Sequence, residues 1–252
     1  MTGRIASITR GSGDLPVLFA HSFAGNRSHW ADTLAHLGSR RRAIAFDFKG
    51  HGNSPAISGR YSYDSLSQDI ETVADLQQLD NFVLVGHSMG AAVAIEYAAA
   101  HAERVAALVL VDPPPAPGAV PQQQIQEIFD SLDQNPYPVI EQFWNQQMFI
   151  DTRPEVKQRL LAGLHDLARH AAIELTKEAF TVDAAKSLRR YPGPKHAIVT
   201  PRNDAALSLH NAVPGVSHAI IHGTGHWIHL DKPAEFNSSL DEFLKSPCSS
   251  ML

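Results

Sequence analysis

The sequence predicts an α/β domain with a mostly parallel twisted sheet, and three observations carry that expectation. Short apolar runs of strand length alternate with helix-period patterns toward both ends of the chain. The stretch between them reads as helix only. The pentapeptide Gly86-His87-Ser88-Met89-Gly90 joins a strand pattern to a helix pattern through a sharp turn. With 252 residues, the chain is long enough for one full hydrophobic core.

Strands are expected at Arg4–Thr9, Val17–His21, Arg42–Asp47, Phe82–Val85, Ala107–Val111, His196–Thr200 and Val216–His222. Helices are expected at Tyr63–Leu79, Ser88–His101 and Ala234–Lys245. Residues Ala91 to Ala100 are apolar nearly all round, which suits a helix buried beside a central strand. After Asp112 the alternation stops at a stiff linker, Pro113-Pro114-Pro115-Ala116-Pro117-Gly118. Helical patterns then run from about Val120 to Arg190, with Phe129, Phe143, Trp144, Phe149 and Phe180 among them. Strands resume after Tyr191-Pro192-Gly193-Pro194. Residues 113–190 are therefore expected to form an α-helical insertion in a core made of 1–112 and 191–252.

Composition narrows the partners. The formal net charge is −5 and the basic triplet Arg40-Arg41-Arg42 abuts an apolar strand, so neither nucleic acid nor an anionic membrane is expected. Cys248, the single cysteine, lies in a polar tail and excludes a disulfide framework. The first seven residues are too polar for an export signal and no apolar run reaches membrane-spanning length, so a cytoplasmic location is expected.

A serine hydroxyl is a weak nucleophile and needs a base, an orienting acid and donors for an oxyanion. Ser88 stands at the tip of the turn, where the following N–H groups open a helix and can bind an anion. The base is expected at His226, because Gly223-Thr224-Gly225-His226-Trp227 is a glycine-rich loop at a strand end. Its rivals are His21, His51, His87, His222 and His229, and His87 is expected to point away from the site. The oxyanion donors are expected to be the N–H groups of Met89 and Phe23. For the acid, Asp204 after a late strand is the first choice and Asp112 the alternative. Each has a plain structural role as well, Asp204 as a helix cap and Asp112 as a turn former before Pro113. The spacing of His222 and His226 offers no third metal ligand, so no metal and no organic cofactor is expected.

These segments resemble the α/β-hydrolase fold family. His21-Ser22-Phe23-Ala24-Gly25, Asp47-Phe48-Lys49-Gly50-His51-Gly52-Asn53-Ser54, Gly86-His87-Ser88-Met89-Gly90, Leu110-Val111-Asp112 and Gly225-His226-Trp227-Ile228-His229-Leu230 are collinear with the family pattern. Cap-bearing carboxylesterases with the same elbow are the nearest likeness. The resemblance implies the order Ser88, Asp204, His226 for nucleophile, acid and base, and a structural turn role for Asp47. There are departures. His21-Ser22 stands where the family has His-Gly, and only 22 positions separate Asp204 from His226. Some esterases of the family take their acid from the position matching Asp112. The expected activity is serine-dependent cleavage of small to medium carboxylic esters through an acyl-enzyme. A lactonase, a cofactor-free perhydrolase and a C–C hydrolase would use the same triad, and a hydrolase-fold receptor would keep only the pocket. Lining residues are expected among Trp30, Phe143, Trp144, Met148 and Trp227.

Overall fold

Successive side chains along a strand point to opposite faces of a sheet, and here that alternation builds two apolar layers. The computed structural model describes residues 4–56, 59–118 and 120–245; Cys248 lies outside the described residues. The chain runs β1 (Ser7–Arg10), β2 (Val17–Ala20), α1 (Ala31–Leu37), β3 (Ala43–Phe46), α2 (Tyr63–Leu76), β4 (Phe82–His87), α3 (Met89–Ala100) and β5 (Val105–Val111). Five helices follow without an intervening strand: α4 (Gln122–Gln134), α5 (Pro136–Phe143), α6 (Pro154–Asp166), α7 (Arg169–Thr181) and α8 (Ala184–Arg190). The chain then returns through β6 (Lys195–Val199), α9 (Leu209–Ala212), β7 (Val216–Ile220), α10 (Ile228–Asp231) and α11 (Pro233–Lys245).

The strands form one sheet in the order β1-β3-β2-β4-β5-β6-β7, with β1 antiparallel to β3 and every other pairing parallel. Leu18, Ala20, Leu84 and Leu108 face the layer that holds α2, α3 and the inserted helices. Val17, Phe19, Val83, Val85 and Val109 face α1 and α11. The central strands are buried on both sides, which is why they read as unbroken apolar runs. Ser62 and Ser65 form a reciprocal capping box that starts α2. Helix α3 is buried nearly throughout, as its all-round apolar pattern requires. Helix α8 falls inside the 113–190 stretch yet packs against α3, and Tyr191 Oη donates to Val105 O at 2.8 Å just after it. No described helix is long and apolar enough to cross a membrane.

The strand order places the site. From β2 the chain passes to β3 on one side, then returns to β4 on the other. A crevice forms at such a reversal, beyond the carboxyl ends of the strands, and the residues there are His21 to Gly25 and Ser88.

Candidate active site

Ser88 joins β4 to α3 with φ 54° and ψ −117°. A non-glycine residue held there stores on the order of 1–3 kcal/mol of strain. Among the described residues five non-glycines have positive φ, and three of them, Ala24, Ser88 and Asp112, directly follow or lie close to the ends of β2, β4 and β5. Strain is thus concentrated at one end of three adjacent strands. Gly90 makes the geometry possible, since a Cβ there would lie 2.6 Å from Ala20 O and closer still to His21 O. The first turn of α3 can therefore sit directly against the end of β2.

His226 is held by three contacts. Its Nδ1–H donates to Asp112 Oδ2 at 2.6 Å. Its backbone N–H donates to Met148 O at 3.1 Å, and its backbone carbonyl accepts His87 Nε2–H at 3.0 Å. A carboxylate can only accept, so Nδ1 carries a proton, and in the neutral ring Nε2 carries the lone pair. That Nε2 is buried and has no hydrogen-bond partner in the structure. Asp112 is buried as well, and its other oxygen accepts Thr200 N–H at 2.9 Å and Thr200 Oγ1–H at 3.2 Å. A buried carboxylate requires such donors.

The structure does not pair Asp204, the first choice for the acid, with His226. Its carboxylate accepts His210 Nε2–H at 3.0 Å and Asn211 Nδ2–H at 3.1 Å, on the exposed side of the β6–β7 connection. Those two hydrogen bonds hold its carboxyl below the usual range. Asp204 directly follows the short 3₁₀ turn Pro201–Asn203 in the β6–β7 connection, where its hydrogen bonds go to α9 rather than to His226. Asp112 ends β5, which lies beside the strand that bears Ser88.

Other expectations fare unevenly. Trp30 is wholly buried on the α1/α11 face, stacked on His229 at 4.1 Å and 4.9 Å from Phe19, so it fills core rather than a pocket. Phe143 is 47% exposed at the end of α5, outside any packed cluster. Trp144 and Trp227 do meet, at 5.2 Å between centroids, with Phe149 5.2 Å from Trp227, Phe23 6.2 Å from Trp144 and Met148 packed against the same layer. A single π-turn over Trp144–Met148 extends α5 and turns this group inward. Ser22, at the departure from His-Gly, accepts Trp227 Nε1–H on Oγ at 3.2 Å. Asp47 accepts Arg27 N–H and Asn53 N–H and closes its own turn.

His87 was expected to point elsewhere and instead braces the His226 loop. Its ring is 4.7 Å from His226 and 4.8 Å from His229. The neighbouring imidazoles are neutral by burial. Desolvation drops His21 to about 4, and His51 and His229 to about 3, and it holds His87 well below 6.5. His21 donates Nδ1–H to Ser22 O at 2.7 Å and accepts Phe48 N–H on Nε2 at 3.0 Å, which fixes the turn after β2.

Comparison with known proteins agrees with the fold. The profile of the Alpha/beta hydrolase family matches residues 17–239. The chain is 26% identical to the dihydrolipoyllysine-residue acetyltransferase component of the acetoin cleaving system of Pseudomonas putida, covering 93% of this chain and spanning 65% of that protein's length. It is 25% identical to the sn-1-specific diacylglycerol lipase ABHD11 of Mus musculus, covering 93% of this chain and 82% of that one. The structure of an esterase from Exiguobacterium antarcticum superposes with a TM-score of 0.83 at 20% identity, covering 97% and 96% of the two chains. At that identity the superposition speaks for the fold alone.

Proposed function

The chain belongs to the α/β hydrolase family, and from that premise we propose that it is a serine hydrolase acting on carboxylic esters of small to medium size. The observation that carries the reading is the Asp112–His226 pair at 2.6 Å with His226 Nε2 left bare, on a loop tied to the residue that precedes Ser88. Ser88 Oγ attacks the ester carbonyl while His226 Nε2 takes its proton, and Asp112 holds the imidazole in the required tautomer and stabilises the imidazolium. Met89 opens α3, so its N–H has no acceptor inside the helix and is free for the oxyanion. Phe23 N–H, in the turn after β2, is the second donor. The alcohol leaves with the proton from His226, and water then cleaves the acyl-enzyme by the reverse relay.

The alternative acid of the sequence reading thus takes the place of Asp204. The acyl group is assigned to the aromatic wall of Phe23, Trp144, Phe149 and Trp227, with Met148 beside it. That wall favours short to medium apolar acyl chains. It is tested with p-nitrophenyl esters from acetyl to palmitoyl, using the wild type and Ser88→Ala. We expect a loss of at least about 10³-fold in kcat on the best ester. Undiminished hydrolysis by the variant would remove Ser88 from the chemistry. Best turnover on the palmitoyl ester would contradict the assigned wall, and no turnover of any ester would direct the search to lactones, C–C substrates or a receptor role.

A further inference from the structure

Asp204, released from the acid role, stands in a second cluster. One ligand atom from each of Asp204, His210 and His218 lies within 4.8 Å of the other two. They come from three elements: the turn after β6, helix α9 and the edge strand β7. The His210 side chain is wholly buried, and its ring lies 4.4 Å from that of His218. Asn211 Nδ2 fixes the Asp204 carboxylate from the side. Ligands bonded to zinc at about 2.0–2.1 Å in a tetrahedron sit about 3.3 Å apart. Asp204 Oδ1 and His210 Nε2 are already 3.0 Å apart, and His218, exposed on β7, needs only a small side-chain adjustment.

We propose that Asp204, His210 and His218 form a binding site for one divalent transition ion of the zinc class. Two imidazoles and one carboxylate suit Zn²⁺, Ni²⁺ or Cu²⁺ and disfavour Ca²⁺ and Mg²⁺. Water completes the coordination on the exposed side. Buried His210 Nδ1 has no partner to orient the ring from behind. Ligand histidines in tight sites have one, so binding here is expected to be about 10–100-fold weaker than in a site with that support. The ion's effect is structural. It ties β7 to the connection whose Thr200 holds Asp112 and whose Asn203 Nδ2 donates to Pro113 O at 2.8 Å. The site is independent of the proposed ester chemistry.

The test is calorimetric titration of tag-free protein with ZnCl₂, alongside thermal unfolding with and without the ion. One ion per chain is expected, with Tm rising about 5–10 °C at a hundredfold excess over Kd. CaCl₂ should not shift Tm. The double variant Asp204→Asn/His218→Ala, altered at exposed positions, should unfold within about 2 °C of the metal-free wild type and bind Zn²⁺ at least about 30-fold more weakly. His218→Ala alone should lose most of the Tm rise. Undiminished Zn²⁺ affinity in the double variant, or no Tm rise of the wild type at millimolar ZnCl₂, would overturn the proposal. Activity does not enter, so its outcome is separate from that of Ser88→Ala.

Discussion

Two aspartates each follow a parallel strand, and each holds a histidine, yet the two pairs are differently built. Asp112 is buried after β5 with φ 40°, holds His226 at 2.6 Å, and receives both Thr200 donors on its second oxygen. Asp204 is exposed after β6 and holds His210 at 3.0 Å with Asn211 as its helper. In the first pair the buried ring of His87 lies 4.7 Å from His226, whose Nε2 has no hydrogen-bond partner. The second leaves a carboxylate and an exposed His218 facing water. Motif and residue type do not separate these pairs. Position in the sheet does, because β5 adjoins the strand of Ser88 and β6 does not.

The sharpest way to separate the surroundings of the two pairs is acid. A histidine whose folded pKa is lowered to about 3 or 4 binds fewer protons than the unfolded chain below about pH 6.5. Its contribution is fully present above that pH and is lost as pH falls toward the folded value. From pH 6.5 to 5, His21, His51 and His229 each forfeit about 2 kcal/mol. The sum is a large share of a domain's stability. Asp204, held below its usual value, would lose its small exposed contribution only at still lower pH. Urea unfolding at pH 7 and pH 5 should show the midpoint collapse, and an unchanged midpoint would mean that these rings are not buried neutral.

Next in size is Asp112→Asn, which should lower kcat about 10³–10⁴-fold at unchanged secondary structure by favouring the wrong tautomer of His226. Thr200→Val keeps the N–H donor to Asp112 and deletes the hydroxyl donor. It should cost about 1 kcal/mol, or roughly fivefold in kcat. Asp204→Asn should leave kcat/KM of metal-free enzyme within about twofold. If Asp204→Asn instead matched the loss in Asp112→Asn, the contrast between the two pairs would fail.

Much of this was legible in the residues. The strand runs, α3 and the elbow at Ser88 follow from local pattern, because central strands buried on both faces read as continuous apolar segments. His226 was legible from a glycine-rich loop at a strand end. The partner of His226 was not, because the choice between Asp112 and Asp204 depends on which strands are neighbours. Trp30 and Trp144 look alike in sequence and both are buried, and only the side of the sheet to which each chain segment returns puts them in different apolar layers. The bracing by His87 carried no signal, since nothing in Gly86-His87-Ser88 tells which loop folds back onto that ring. The gathering of Asp204, His210 and His218 carried none, since it arises from a helix of four residues folding onto an edge strand.

The peptide that carries His226 is shared property of two layers. Its N–H ends on Met148 O, and a Cβ at the preceding Gly225 would lie 2.9 Å from that same carbonyl, 3.0 Å from Ile150 O and closer still to Thr152 Oγ1. The inserted helices are consequently not an exchangeable module. A chimera carrying a relative's helices between β5 and β6 would inherit a new acyl wall, and would also have to rebuild the seat of its own histidine. Transplant designs on this scaffold should keep residues 148–152 with the recipient.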